Sequence, residues 1–193
     1  MSTDTDGEII RLARDNPAVF GELYDRHAAG LYRYAARRAG EFAADDVIAE
    51  TFLVAWERLE SYDYDHDDAR PWLFGIATNL LRRHHRTEAR MLKAAAKAGL
   101  RDSVADESDR VAAQTDALVA TGLIAVALKS MPVIDRDTLL LYAWGDLTYE
   151  GIAAAMDVPI GTVRSRLNRA RRTLRSALDA VQLADKGEQA WTK

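Results

Sequence analysis

Residues 147–178, LTYEGIAAAMDVPIGTVRSRLNRARRTLRSAL, constrain the fold more than any other part of the chain. Apolar residues recur there at helical spacing on both sides of a short Asp157-Val158-Pro159 turn. At about 100° per residue from Ile160 onward, Val163, Leu167, Ala170, Leu174 and Leu178 fall in one stripe able to pack inward. Thr162, Ser165, Arg166, Arg169, Arg172 and Ser176 gather opposite, with Arg164, Arg171 and Arg175 along one flank. Residues 160–178 hold six arginines and no acid. A planar guanidinium fork makes two parallel hydrogen bonds to a phosphate or a guanine edge, which suits those arginines to nucleic acid. A charge run can equally be a solvated face. Here it follows a short helix and a turn at helix-turn-helix spacing, and that arrangement points to duplex DNA.

The shorter helix upstream supports the motif. Gly145 is expected to stop the preceding helix as a left-handed cap, and Thr148 is a good N-cap for the next. Ile152, Ala153 and Met156 give that helix an inward side. Gly151 stands where a capping box would have Glu or Gln, at a propensity cost on the order of 1 kcal/mol. Asp157 occupies a turn position easiest for glycine, although Asp tolerates left-handed geometry better than most residues.

Composition limits the alternatives. The chain of 193 residues is 48% hydrophobic, enough for one or two small cores. It has no cysteine, so neither a disulfide framework nor a Cys-based zinc site is open to it. No run approaches transmembrane length, and the acidic start MSTDTDGE does not suit a signal peptide, so a soluble cytoplasmic protein with no membrane insertion is expected. The net charge of −4 is unusual for a protein that binds DNA alone. An acidic whole with one basic helix is expected to meet DNA within a larger assembly.

Helical spacing elsewhere, with no hairpin turn between alternating runs, predicts an all-α fold of two small helical domains joined by a flexible linker. The expected division is a first domain over 1–86, a linker over 87–110, a second domain over 111–183 and a frayed tail over 184–193. Asn16-Pro17 opens a helix through Phe20, Leu23 and Tyr24. A further helix carries Leu31, Tyr34 and Ala35 and ends near Gly40. The linker stretch is rich in Ala and charge and poor in large apolar residues, and is helical at most near its start.

Two helices of the first domain show surfaces beyond a core stripe. Over residues 45–59, Ile48, Phe52, Ala55, Trp56 and Leu59 cluster on one side, and Asp46, Glu50, Leu53 and Glu57 almost opposite. A single exposed Leu is unremarkable, but an acid-rimmed apolar spot also suits a basic partner helix. After Pro71, Trp72, Leu73, Ile76, Ala77, Leu80 and Leu81 are expected inward, and Phe74, Thr78, Asn79, Arg82, His85 and Arg86 outward. An outward aromatic, an amide and a basic last turn suit single-stranded bases and phosphates. Tyr62 and Tyr64, in the loop before this helix, offer stacking rings or a pocket for an extruded base. The competing account is that the basic turn complements the helix dipole and the tyrosines pack locally.

With DDVIAETFLVAWERL, RPWLFGIATNLLRRHHR and the helix-turn-helix block present in this order, the chain resembles the small extracytoplasmic-function group of the bacterial sigma-70 family, which keeps only regions two and four. The resemblance covers residues 17–86 and 125–178. It implies that Asp46, Glu50, Leu53 and Glu57 dock on the clamp helices of the β′ subunit of core RNA polymerase. It implies that Tyr62, Tyr64, Asn79, Arg82, Arg83 and Arg86 open and hold the −10 element of promoter DNA. Thr162, Arg164, Ser165, Arg166 and Arg169 would read the −35 element, and an anti-sigma factor is a possible further partner. Gly151 and Asp157 depart from the acid and glycine more usual in the family. The competing reading is a stand-alone helix-turn-helix regulator. No catalytic residue, cofactor or metal site is expected: the acids lie on solvated faces, and His84 and His85, adjacent on a helix, point to different sides.

Overall fold

The computed structural model describes residues 5–64, 66–97 and 116–190, with side chains for 5–64, 66–91 and 122–179. Regular structure among the described residues is helical throughout: α1 (Asp6–Ala13), α2 (Phe20–Ala39), α3 (Glu41–Glu57), α4 (Arg70–Lys97), α5 (Asp116–Ser130), α6 (Val133–Ala143), α7 (Tyr149–Met156) and α8 (Ile160–Ala190). Short 3-10 turns lie at Pro17–Val19 and Leu59–Ser61. The expected linker beyond residue 97, the expected start of the second domain at Val111 and the end of the tail lie outside the described residues. Two helices run on into the neighbouring expected segments. α4 continues to Lys97, into the stretch expected to be linker, and α8 continues to Ala190, through most of the expected frayed tail.

The helix ends follow from local chemistry. α1 opens on a capping box, in which the Thr5 hydroxyl accepts the Glu8 N–H at 3.3 Å and the Glu8 carboxylate accepts the Thr5 N–H at 2.8 Å. The Asn16 side chain accepts the Ala18 N–H at 3.3 Å and starts the 3-10 turn that feeds α2. α2 then runs unbroken to Ala39, a single helix where two were expected. Gly40 ends it at φ 81°, a backbone position glycine takes without strain. Thr148 caps α7 as expected, accepting the Gly151 N–H at 3.0 Å, and Asp157 takes the left-handed turn position at φ 50°. The expected left-handed cap at Gly145 is not found, because the neighbouring Asp146 adopts φ 50° instead. Gly145 is required for space, since a β-carbon there would lie 2.7 Å from the Leu141 carbonyl oxygen and 3.2 Å from the Phe74 ring.

The halves α1–α4 and α5–α8 pack directly on one another, and their buried apolar residues form one continuous cluster. Leu31, Tyr34, Leu73 and Leu81 lie in its first part, and Leu141, Ile152, Val163 and Leu167 in its second. Burying one such Leu or Ile fully contributes about 1.5–3 kcal/mol. The crossing of α4 and α7 is close enough that a β-carbon on Gly75 would sit 2.5 Å from the Ala155 carbonyl oxygen. Only glycine fits there.

Candidate nucleic-acid interface and docking face

The turn held by Thr148 and Asp157 aims α8 outward. Val163, Leu167 and Ala170 are fully buried beneath it, while Arg164, Ser165, Arg169, Arg171, Arg172 and Arg175 are exposed. Thr162 and Arg166 are half-buried, and the Ser165 hydroxyl donates to the Thr162 carbonyl at 2.9 Å. Arg169 has a partner the sequence did not reveal. Its Nε and Nη2 donate to the two oxygens of Asp135 on α6 at 2.9 and 2.7 Å. Asp135 is buried, and the Arg169 guanidinium, outweighing that burial, holds its carboxyl below the usual carboxylate range. The fork is thus set by a protein acid on one edge, leaving its Nη1 edge for another partner. Arg171 lies 5.3 Å over the Tyr142 ring and donates to the Tyr149 hydroxyl at 3.2 Å.

On α3 and the turn after it, Ile48, Phe52, Ala55 and Leu59 are buried and Asp46, Glu50, Leu53 and Glu57 are exposed, as the wheel predicts. Trp56 departs from the expected core stripe: it is exposed, at the edge of the core, where it meets Phe20 edge-on at 5.3 Å. The sequence reading missed Phe42, which is 99% exposed one turn before Asp46. Its place four residues ahead of Asp46 was the available signal. A ring that open has no role in the core.

The outward face expected for α4 is partly covered. Phe74 and Thr78 are buried, against expectation: the α6–α7 connection at Gly145 lies against the Phe74 ring, and Tyr34 of α2 meets both residues. Phe74 packs edge-on to Tyr34 at 5.2 Å, and the Thr78 hydroxyl pairs with the Tyr34 hydroxyl at 2.9 Å. One turn on, Arg82 donates through Nε to Asp137 of α6 at 2.5 Å, and Arg38 of α2 pairs with the other oxygen of that carboxylate. Asp137 is fully buried and Arg38 is 2% exposed, so this is an ion triad inside the seam between the halves. Asn79 is exposed and accepts Arg82 Nη1 at 3.3 Å. Arg83 is exposed beside Glu50 at 3.4 Å, and Arg86 is exposed with Nε on the Arg82 carbonyl at 3.2 Å.

Tyr62 is buried between the Trp72 and Tyr64 rings, with its hydroxyl donating to the His66 carbonyl at 2.6 Å; burial pushes its pKa up. Its ring is therefore not an exposed stacking surface here, because local packing has claimed it. Tyr64 is half-buried and its hydroxyl donates to the Leu59 carbonyl at 3.2 Å. The loop faces α7 across a cleft of about 680 Å³, lined by Asp63, Asp67, Asp68, Glu150 and Asp157 among others. No group of three or more His, Cys, Asp or Glu residues among those described could hold a metal ion. No described helix is long and apolar enough to cross a membrane.

Comparison with known proteins matches both halves of the chain to one family. The family described as Sigma-70 region 2 matches residues 23–91, and that described as Sigma-70, region 4 matches residues 121–174. The ECF RNA polymerase sigma factor SigL of Mycobacterium tuberculosis is 33% identical over 165 residues, covering 85% of this chain and 91% of that protein. The RNA polymerase sigma factor CnrH of Cupriavidus metallidurans is 31% identical over 175 residues, covering 87% and 91%. CnrH solved in complex with the cytosolic domain of CnrY superposes with a TM-score of 0.65 at 26% identity, covering 92% of this chain and 99% of that one. The sigma factor RpoE from Bartonella quintana, solved with the anti-sigma factor NepR, shares the fold with a TM-score of 0.58 at 24% identity over 83% and 96% of the two chains. The chain belongs to the sigma-70 family, as an RNA polymerase sigma factor of the extracytoplasmic-function group.

Proposed function

We propose that this sigma factor divides its work among three surfaces. The α3 face of Asp46, Glu50, Leu53 and Glu57, extended by Phe42, docks on a basic partner, the clamp helices of the β′ subunit of core polymerase. Asn79, Arg82, Arg83 and Arg86 of α4, with the loop carrying Tyr62 and Tyr64, engage the −10 element. Thr162, Arg164, Ser165 and Arg166 of α8 read the −35 element, and Arg169 does so in the orientation Asp135 gives it. Tyr62 shapes the loop from within rather than stacking on a base. The reading divides the chain into a first domain ending near residue 86 and a second ending near 183. It places the protein in the cytoplasm with the polymerase and assigns it no catalytic step. CnrH was solved with a protein partner, and we include an anti-sigma factor among the partners of this chain.

The observation that carries the reading is the segregation of charge: exposed guanidinium groups over the buried stripe of α8, and an acid-rimmed apolar face on α3. Run-off transcription with purified core polymerase on a promoter library tests it. Chain-dependent, promoter-specific transcripts, with weak duplex binding by the free chain, are expected. Tight binding of a palindromic site by the free chain without such transcripts would favour a stand-alone regulator instead.

A further inference from the structure

α1 was not read from the sequence, and it lies outside the stretch matched to region 2, residues 23–91. It is nonetheless fastened to the loop before α4. Asp6 is 6% exposed although it is charged and sits in the first turn of a surface helix. Its Oδ2 accepts the Ala69 N–H at 2.9 Å and lies 2.7 Å from His27 Nε2, and its Oδ1 accepts Arg26 Nη1 at 3.1 Å. The Asp6 N–H donates to the Asp67 carbonyl at 3.1 Å. Gly7 lets the helix come this near, since a β-carbon there would lie 3.1 Å from the His66 carbonyl oxygen. Farther along α1, Arg11 lies 5.3 Å over the Tyr64 ring and Arg14 reaches Glu60 at 3.4 Å.

The backbone of His66, Asp67 and Ala69 is thus tied at three points, by the Tyr62 hydroxyl, the Asp6 N–H and the Asp6 carboxylate. The side chains of Asp63, His66, Asp67 and Asp68 remain exposed. Fixed backbone with outward side chains is what selective recognition by a loop requires, because a reading group left loose by about 1 Å loses its discrimination. The buried Asp6 carboxylate joins this loop to α2: one oxygen takes the Ala69 N–H, and Arg26 and His27 of α2 hold the carboxylate in place.

We infer that Asp6 is a positioning residue for −10 recognition, holding this loop in the one backbone geometry that distinguishes the correct displaced strand from a mismatched one. The inference rests on the assignment of the loop to the −10 element. It adds that the selectivity is set from α1, through contacts that never touch DNA.

The experiment uses the full chain with core polymerase. Asp6→Asn, Asp6→Glu and Gly7→Ala are compared with the loop variants His66→Ala and Asp67→Ala. The readout is a ratio: transcription from the preferred promoter against the same promoter carrying single −10 substitutions. Core association, duplex binding at −35 and thermal unfolding are measured alongside. Asp6→Asn and Gly7→Ala are expected to lower the ratio about tenfold, the scale of one mismatched base contact, with core association and −35 binding unchanged. Asp6→Glu should keep more of the ratio than Asp6→Asn. If the loop variants change the ratio while the Asp6 and Gly7 variants reduce all promoters equally, the inference is overturned and the loop assignment stands. If the loop variants also leave the ratio intact, the −10 assignment of the loop fails, and the inference with it. Gly7→Ala leaves every charged group in place, so it decides the matter should the Asp6 variants fold poorly.

Discussion

Asp135 and Asp137 stand two residues apart on α6, both buried and both paired with arginine, yet they do different things. Asp135 meets Arg169 inside its own half, and that arginine is 50% exposed. Asp137 meets Arg38 and Arg82 of the other half, and Arg38 is enclosed with it. Breaking the first leaves the arginine to water at little cost. Breaking the second strands a cation in the core, a loss of several kcal/mol because its desolvation is no longer offset. The same pair of residue types orients a reading group in one place and joins two domains in the other. Burial of the arginine decides which.

Asp137→Ala should have the largest effect. It leaves Arg38 without its buried partner, and on the order of 3–5 kcal/mol of unfolding free energy should be lost in denaturant titration. A loss below about 1 kcal/mol, the scale of an exposed pair, would mean that the triad does not join the halves. Gly75→Ala comes next. Its β-carbon would meet the Ala155 carbonyl oxygen at 2.5 Å, so α4 and α7 must separate. A cost of about 1–3 kcal/mol and a larger radius of gyration in solution scattering are expected. An unchanged radius would show that the crossing can relax in place. Asp135→Ala, the other arm of the comparison, should cost clearly less stability than Asp137→Ala while weakening duplex −35 binding, by up to about tenfold if Arg169 contacts a base. Equal stability losses in the two variants would erase the distinction.

Acid should act on the Asp135 pair at modest size. Asp135 and Asp6 both titrate below the ordinary value of 3.8, Asp135 because of Arg169, and Asp6 because bonds from His27, Ala69 and Arg26 outweigh its burial. Their folded-state pKa values are depressed, so the stability they contribute is complete above 3.8 and is lost as pH falls through the lower folded values. Unfolding free energy measured from neutral pH downward should show no change from these two groups until about pH 4, and then fall. In Asp135→Asn that acid loss should be smaller. The smallest effect belongs to Arg14→Ala: its pair with Glu60 is exposed on both sides, and less than about 0.5 kcal/mol is expected.

Much of this was readable from residues alone, for reasons that mark where such reading stops. The α8 stripe, the Thr148 cap, the left-handed Asp157 and the two faces of α3 all follow from periodicity and local hydrogen bonding within one element. Phe74 and Thr78 did not, because a helical wheel separates an apolar face from a polar one but cannot say what covers the polar one. Phe74 is covered by Tyr34 and by the α6–α7 connection at Gly145, and Thr78 is satisfied by Tyr34, distant in sequence. Asp135 and Asp137 escaped notice for the same reason, since their partners lie 34 and 55 or more positions away. α1 was within reach, as Thr5 and Glu8 form a capping-box pair at the start of a run containing Ile9 and Ile10. Gly145 was assigned the right place and the wrong reason: the position needs glycine for room, and the left-handed residue is its neighbour.

The claim of separate surfaces meets its most direct test in one ratio, transcription from a template premelted across the −10 element divided by transcription from the matched duplex. Arg83→Ala with Arg86→Ala removes exposed α4 groups whose side chains make no bond to the side chains of the Asp137 triad. Arg164→Ala with Arg166→Ala removes α8 groups while leaving the Asp135–Arg169 hydrogen bonds in place. The α4 pair should raise the ratio severalfold, since premelting supplies in advance the step those residues assist. The α8 pair should leave it at the wild-type value while lowering transcription from both templates. Identical ratios for the two pairs would contradict the division of promoter opening and duplex reading between the two halves of the chain.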